Sequence, residues 1–180
     1  MNTEQCVVEG EHFSRTVWFS AGPKETNHPL CVFLDGEHYL ETVQALSIVE
    51  KAMVNGHLPQ MSLPFVSHNG AAARHEDYTC NDSFASFVAD DLVRWAKTRV
   101  PSITSGGNVI CGISLSGLAS AHIALTFPNV FSSSLCQSGS FWWNRQRFAE
   151  LARTHSKISP RFWLSVGDKE TEDDVRHPPT

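Results

Sequence analysis

The chain has 180 residues, 41% of them hydrophobic and only 18% charged. That length suits one domain with a real core, and the pairing of ordinary apolar content with low charge excludes a disordered, solvating chain. A formal net charge of −5 with no Lys/Arg stripe argues against a nucleic-acid partner. No apolar run approaches the roughly 18 residues that span a bilayer, so no membrane partner is expected. The start Met1-Asn2-Thr3-Glu4-Gln5 has neither the basic nor the apolar part of a secretory leader, which makes a cytoplasmic location the expectation. Cys6, Cys31, Cys80, Cys111 and Cys136 are odd in number, widely spread and form no Cys-x-x-Cys pair. Reduced, mostly buried thiols are expected, and neither a metal nor a cofactor.

In chain order, residues 15–20 mix polar and apolar positions and predict an edge-type strand. Residues 30–34, Leu-Cys-Val-Phe-Leu, are continuously apolar and stop at Asp35-Gly36, the pattern of a strand buried on both faces. A helix is predicted over 39–55, because Val43, Leu46, Val49 and Met53 fall three or four apart. Residues 61–66 predict a strand, 69–81 a polar loop, and 83–98 a second helix with Phe84, Phe87, Val88, Leu92 and Trp95 on its buried face. A short strand at 109–111 leads into Gly112-Ile113-Ser114-Leu115-Ser116-Gly117 and a helix at 115–127, ended by Pro128. Strand 133–136, helix 145–154 and strand 161–166 complete the pattern. Strands alternating with helices predict a mostly parallel α/β sheet with right-handed crossovers. With no repeat and no linker, residues 1–180 form one domain.

A strand, then Gly-x-Ser, then a helix is the recipe of a nucleophile elbow. The sharp turn lifts the serine Oγ above the carboxyl edge of the sheet, and close backbone approach demands small neighbours. Ser114 is therefore the candidate nucleophile of a serine hydrolase. The second glycine of the full Gly-x-Ser-x-Gly pattern is Ser116 here, followed by Gly117. An oxyanion hole needs the N–H after the nucleophile, from Leu115, and a second from an early loop, around Gly36-Glu37. The acid that orients the base should follow a later strand, which offers Asp168 and Glu170.

Four strings resemble the enterochelin esterase branch of the esterase-D-like α/β hydrolases. They are Leu34-Asp35-Gly36-Glu37; Arg74-His75-Glu76-Asp77-Tyr78 with Asn81 and Phe84; the elbow Gly112–Gly117; and Gln137-Ser138-Gly139-Ser140-Phe141-Trp142-Trp143, the most specific. The resemblance covers residues 30–170. It implies an α/β-hydrolase sheet flanked by helices and an esterase acting on a small-molecule ester, in particular the trilactone of a ferric catecholate siderophore. By the same resemblance Ser114 is the nucleophile, Glu170 is preferred over Asp168 as the acid, and the N–H groups of Glu37 and Leu115 form the oxyanion hole. Arg74 falls in a loop bordering the site. It is expected either to meet an anionic catecholate or to hold Glu76 or Asp77.

The resemblance also implies a catalytic histidine in a Gly-Gly-His-Asp loop well beyond the acid, and this sequence has no such string. Nine histidines are present, and only His177 follows Glu170. Seven residues supply neither a helix nor a strand, so the expectation is a partial domain lacking the last strand and helix, with the base outside these residues and the chain as given a weak or inactive esterase. A folded-back His177, or His38 or His68 at the carboxyl edge, would be the stand-ins. A non-catalytic α/β domain that binds a ligand or partner is the alternative, favoured by the missing histidine and by Ser116.

Overall fold

The computed structural model describes residues 3–154 and 160–170. The strands are β1 (Glu4–Glu9), β2 (Ser14–Ser20), β3 (Cys31–Leu34), β4 (Leu63–Val66), β5 (Asn108–Ile113), β6 (Phe131–Gln137) and β7 (Arg161–Ser165). The helices are α1 (Gly36–Glu41), α2 (Ala45–Val54), α3 (Ala71–Tyr78), α4 (Asp82–Ser86), α5 (Val93–Arg99), α6 (Leu115–Thr126) and α7 (Trp143–Thr154), with one wide π-helical stretch, Phe87–Leu92, joining α4 to α5. The sheet runs β1-β2-β4-β3-β5-β6-β7. β2 pairs antiparallel with both β1 and β4, and every pairing from β4 onward is parallel. This is the mostly parallel, helix-flanked sheet that the sequence predicts.

Two apolar layers cover the sheet. Side chains alternate along each strand, so Val32 and Leu34 of β3 join one cluster with Phe84, Val88, Leu118 and Ile123 of the α4–α6 side. Cys31 and Phe33 join the other, with Tyr39 of α1 and Met53 of α2. β3 is buried throughout, as its unbroken apolar run requires. Its carboxyl end, with that of β5, is thereby held in the middle of the sheet, where a site can be aimed by rigid strands. None of the described helices is long and apolar enough to cross a membrane.

Three expectations are corrected. β2 is not an edge strand: β1, which its alternating polar residues hid, covers it. The helix expected over 39–55 is two, because Gln44 takes a left-handed conformation (φ 56°) and α2 restarts there. Val43 still packs on the second apolar layer, but from the break. The polar loop expected at 69–81 contains α3. Its buried residues are Asp77 and Tyr78, which leave no apolar stripe to read, while its three consecutive alanines, Ala71–Ala73, carry the propensity that was legible. The strand expected at 161–166 forms as β7 and is largely exposed among the described residues.

Candidate active site

The elbow sits between β5 and α6. Ser114 has φ 56° and ψ −120°, a conformation that L-residues avoid and that persists only where the surroundings over-determine it. Those surroundings are tight. A Cβ on Gly112 would lie 1.9 Å from the Ser116 carbonyl oxygen, so no side chain fits there. A Cβ on Gly117 would lie 3.0 Å from the Cα of Gly139. Ser116, at the position of the pattern's second glycine, is fully buried. Its hydroxyl accepts from the Ile113 N–H at 2.8 Å and donates to the Ile113 carbonyl at 2.8 Å. The serine therefore clasps the turn instead of crowding it. Ser114 is itself exposed, with the Leu115 N–H next to it in the first turn of α6, where amides lack intrahelical partners.

Ser114 opens on a cleft of about 380 Å³ lined by Asp35, His38, His68, Arg74 and Ile113. The loop after β3 forms one wall. Gly36 packs so closely on β4 that a Cβ would lie 2.7 Å from the Phe65 carbonyl carbon. Asp35 is left-handed (φ 56°) and donates its N–H to the Tyr78 hydroxyl at 3.1 Å. Glu37 follows in the first turn of α1, its carboxylate accepting from the Ser67 hydroxyl and, at 3.2 Å, from the His68 N–H. The structure thus brings Ser114 and the candidate hole residues Leu115 and Glu37 to one sheet edge.

Arg74 also reaches this cleft, but its carboxylate partner is not the one expected. It forks onto Asp35, Nε to Oδ1 at 2.8 Å and Nη2 to Oδ2 at 2.7 Å, over the Tyr78 ring. Asp77 is held instead by Arg15, a buried pair tying β2 to α3. The sequence could not rank these partners, because Asp35 and Arg74 are 39 residues apart and meet only through the β3–β4 crossover. Hydrogen bonding to Asp35 raises the Arg74 guanidinium further above neutrality, so it stays charged. Burial pushes the Asp77 carboxyl up, against the pull of Arg15.

Glu170 and Asp168 lie in the turn after β7. The Glu170 carboxylate accepts from the Ser138 hydroxyl at 2.5 Å and the Gly167 N–H at 2.8 Å, and both bonds hold it below the usual carboxylate range. It does not line the cleft with Ser114. Ser138 and Ser140 were missed as site residues. Their signal was the Gln137–Trp143 string, noted for its resemblance with no chemical role given to it.

Among the described histidines, His38 and His68 border the cleft. His68 Nδ1 accepts from the Gly70 N–H at 2.9 Å, and its Nε2 lies 3.9 Å from the Glu37 carboxylate. His28 is buried between Thr26 and Ser62, and His75 packs edge-on against Trp143. His122 pairs with Asp82 at 3.1 Å, away from the elbow as the direction of α6 predicts. His177 lies outside the described residues. Among the described residues no group of three or more His, Cys, Asp or Glu is placed to hold a metal ion.

The family described as "Putative esterase" matches residues 14–178. The chain belongs to this esterase family. It is 31% identical over 138 residues to an iron(III) enterobactin esterase of Dickeya dadantii, a match over 74% of this chain and 32% of that protein. A second iron(III) enterobactin esterase, from Escherichia coli, is 29% identical over 72% of the chain and 33% of its own length. Among solved structures, the enterobactin esterase of Shigella flexneri superposes with a TM-score of 0.83 at 25% identity, over 94% of this chain and 47% of that one. The chain thus spans about a third of the length of these curated relatives.

Proposed function

We propose that this chain is a serine esterase that cleaves carboxylic esters of a catecholate siderophore of the ferric-enterobactin kind. The single observation that carries the reading is the strained, exposed Ser114 on a glycine-tight elbow, facing a cleft walled by the loop after β3. The enterobactin esterases among its relatives support the substrate class.

In the proposed reaction, Ser114 Oγ adds to the ester carbonyl carbon and gives its proton to a histidine base. The carbonyl oxygen becomes an oxyanion held by the N–H groups of Leu115 and Glu37. Collapse expels the alcohol, which takes the proton back, and water repeats the cycle on the acyl-serine. Glu170 orients and stabilises the charged imidazole. The base is a histidine that the family resemblance puts beyond Glu170, while His38 and His68 border the cleft as the described alternatives. Arg74, charged and fixed by Asp35 beside Ser114, meets the anionic catecholate. Cytoplasmic action on an internalised siderophore fits this chemistry. The clasp made by Ser116 removes one support of a purely ligand-binding role.

The test is ester cleavage by the purified protein and by Ser114→Ala. Chromatography should show slow release of catechol-bearing hydroxy acid from a catecholate trilactone, and of phenol from a simple aryl acetate, above the buffer rate and abolished by the substitution. Equal release by the two proteins would overturn the proposal.

A further inference from the structure

The most distinctive string of the sequence, Gln137–Trp143, has no part in the reaction above, yet it touches both ends of the proposed machinery. The turn that follows β6 is bonded on either side. The Ser114 N–H donates to the Gln137 carbonyl at 2.9 Å, and the Ser138 N–H donates to the Ser165 carbonyl of β7 at 2.7 Å. Ser138 takes φ 46°, which turns the chain sharply out of the sheet. The Ser138 hydroxyl then points to the acid and donates to Glu170 at 2.5 Å. Gly139 comes next, and the 3.0 Å separating its Cα from a Cβ built on Gly117 puts the turn backbone to backbone with the first turn of α6. Ser140, 5% exposed, donates its N–H to the Ser114 carbonyl at 3.0 Å, and its Oγ lies 3.4 Å from the Ser114 Oγ.

We infer that Ser138-Gly139-Ser140 is a strut that fixes the nucleophile and the acid to one piece of backbone, with Ser140 the positioning residue for Ser114 and Ser138 the positioning residue for Glu170. This rests on the roles proposed above for those two groups. The arrangement explains why the string carries a glycine between its two serines. A side chain on Gly139 would drive into the Phe141 ring, whose nearest atom would be 2.6 Å away. It also explains how an acid in an exposed turn can be held in place without burial. Its two hydrogen bonds come from the strut and from its own loop, where Asp168 and Lys169 flank it.

Two measurements test the strut. The first is carboxyl NMR titration of Glu170 in the natural protein, in Ser138→Ala and in Ser138→Gly. Alanine keeps the backbone strain and glycine relieves it, while both remove the hydroxyl. The strut predicts that Glu170 titrates at higher pH in both variants, because a hydrogen bond favouring the carboxylate is lost from each. Unchanged titration in the two variants, or a change in only one, would overturn it. The second is the rate of Ser114 phosphonylation by a fluorophosphonate, in which Oγ bonds to phosphorus and fluoride leaves. Ser140→Ala should slow the covalent step about fivefold, the worth of one neutral hydrogen bond, with probe affinity unchanged and Ser140→Thr restoring part of the rate. A wild-type rate in Ser140→Ala, or a lower melting temperature as its only effect, would overturn that half. A natural protein that fails to label at all would overturn the esterase reading, and the Glu170 titration would still decide the strut.

Discussion

Two leucines of one sheet stand in opposite circumstances. Leu34, at the end of β3, is completely buried, and the chain after it turns into the Asp35–Glu37 wall of the cleft. Leu164, on β7, is 65% exposed beside Trp163 at 64% and Val166 at 74%. The centre of the sheet carries Ser114, the proposed nucleophile, clamped by Gly112, Ser116 and Gly117. The far side carries the proposed acid, which is tied down by two hydrogen bonds rather than by packing. Among the described residues, the half with Ser114 is therefore held by burial and the half with Glu170 by local polar contacts. Mutations should affect stability in the first region and geometry in the second.

The contrast can be broken at several points, starting with the largest effect. Arg15→Met strips the partner from buried Asp77 and should cost about 3–5 kcal/mol at neutral pH, read by urea unfolding. The deficit should shrink in acid. The Asp77 carboxyl is already pushed up by burial. As pH falls through its raised pKa, it takes a proton and no longer buries an unpaired charge. A deficit that grows on acidification would show that this sign is wrong. Leu34→Ala should cost about 2–5 kcal/mol, since the β3 core has no room to collapse around the cavity. Ser116→Ala leaves the Ile113 amide and carbonyl without their clasp and should cost about 1 kcal/mol in thermal unfolding. Leu164→Ser should change stability by less than about 0.5 kcal/mol. If Leu164→Ser proved as costly as Leu34→Ala, the two regions would not differ as described.

The centre of the molecule was also the legible part. A five-residue apolar run stopped by Asp35-Gly36 is too short for a buried helix and reads as a strand covered on both faces, and Gly-x-Ser between a strand and a helix is the recipe of an elbow, so β3, β5, α6 and the elbow follow from the sequence. The edge was not legible for the complementary reason. β7 reads as apolar, and apolar residues are normally covered, yet burial depends on what packs there and not on the strand itself. α3 escaped because its inward residues, Asp77 and Tyr78, are polar and find their partners at Arg15 and Asp35, 62 and 43 residues away. Arg74 falls in the expected neighbourhood, and its carboxylate partner is Asp35 rather than Glu76 or Asp77 for the same reason. Short-range pattern locates a side chain, whereas long-range pairing decides what it holds. Ser138 and Ser140 show the limit most clearly, because their string stood out while its two contacts, to Glu170 and to Ser114, exist only once β6 and β7 lie side by side.

The central claim, that the elbow makes Ser114 a nucleophile, is tested most directly by treating the folded protein with a fluorophosphonate and mapping the adduct by peptide mass spectrometry. The account predicts a single adduct on Ser114, absent from Ser114→Ala and from protein unfolded before treatment. Labelling spread over other serines, or none on Ser114 in the folded protein, would contradict it.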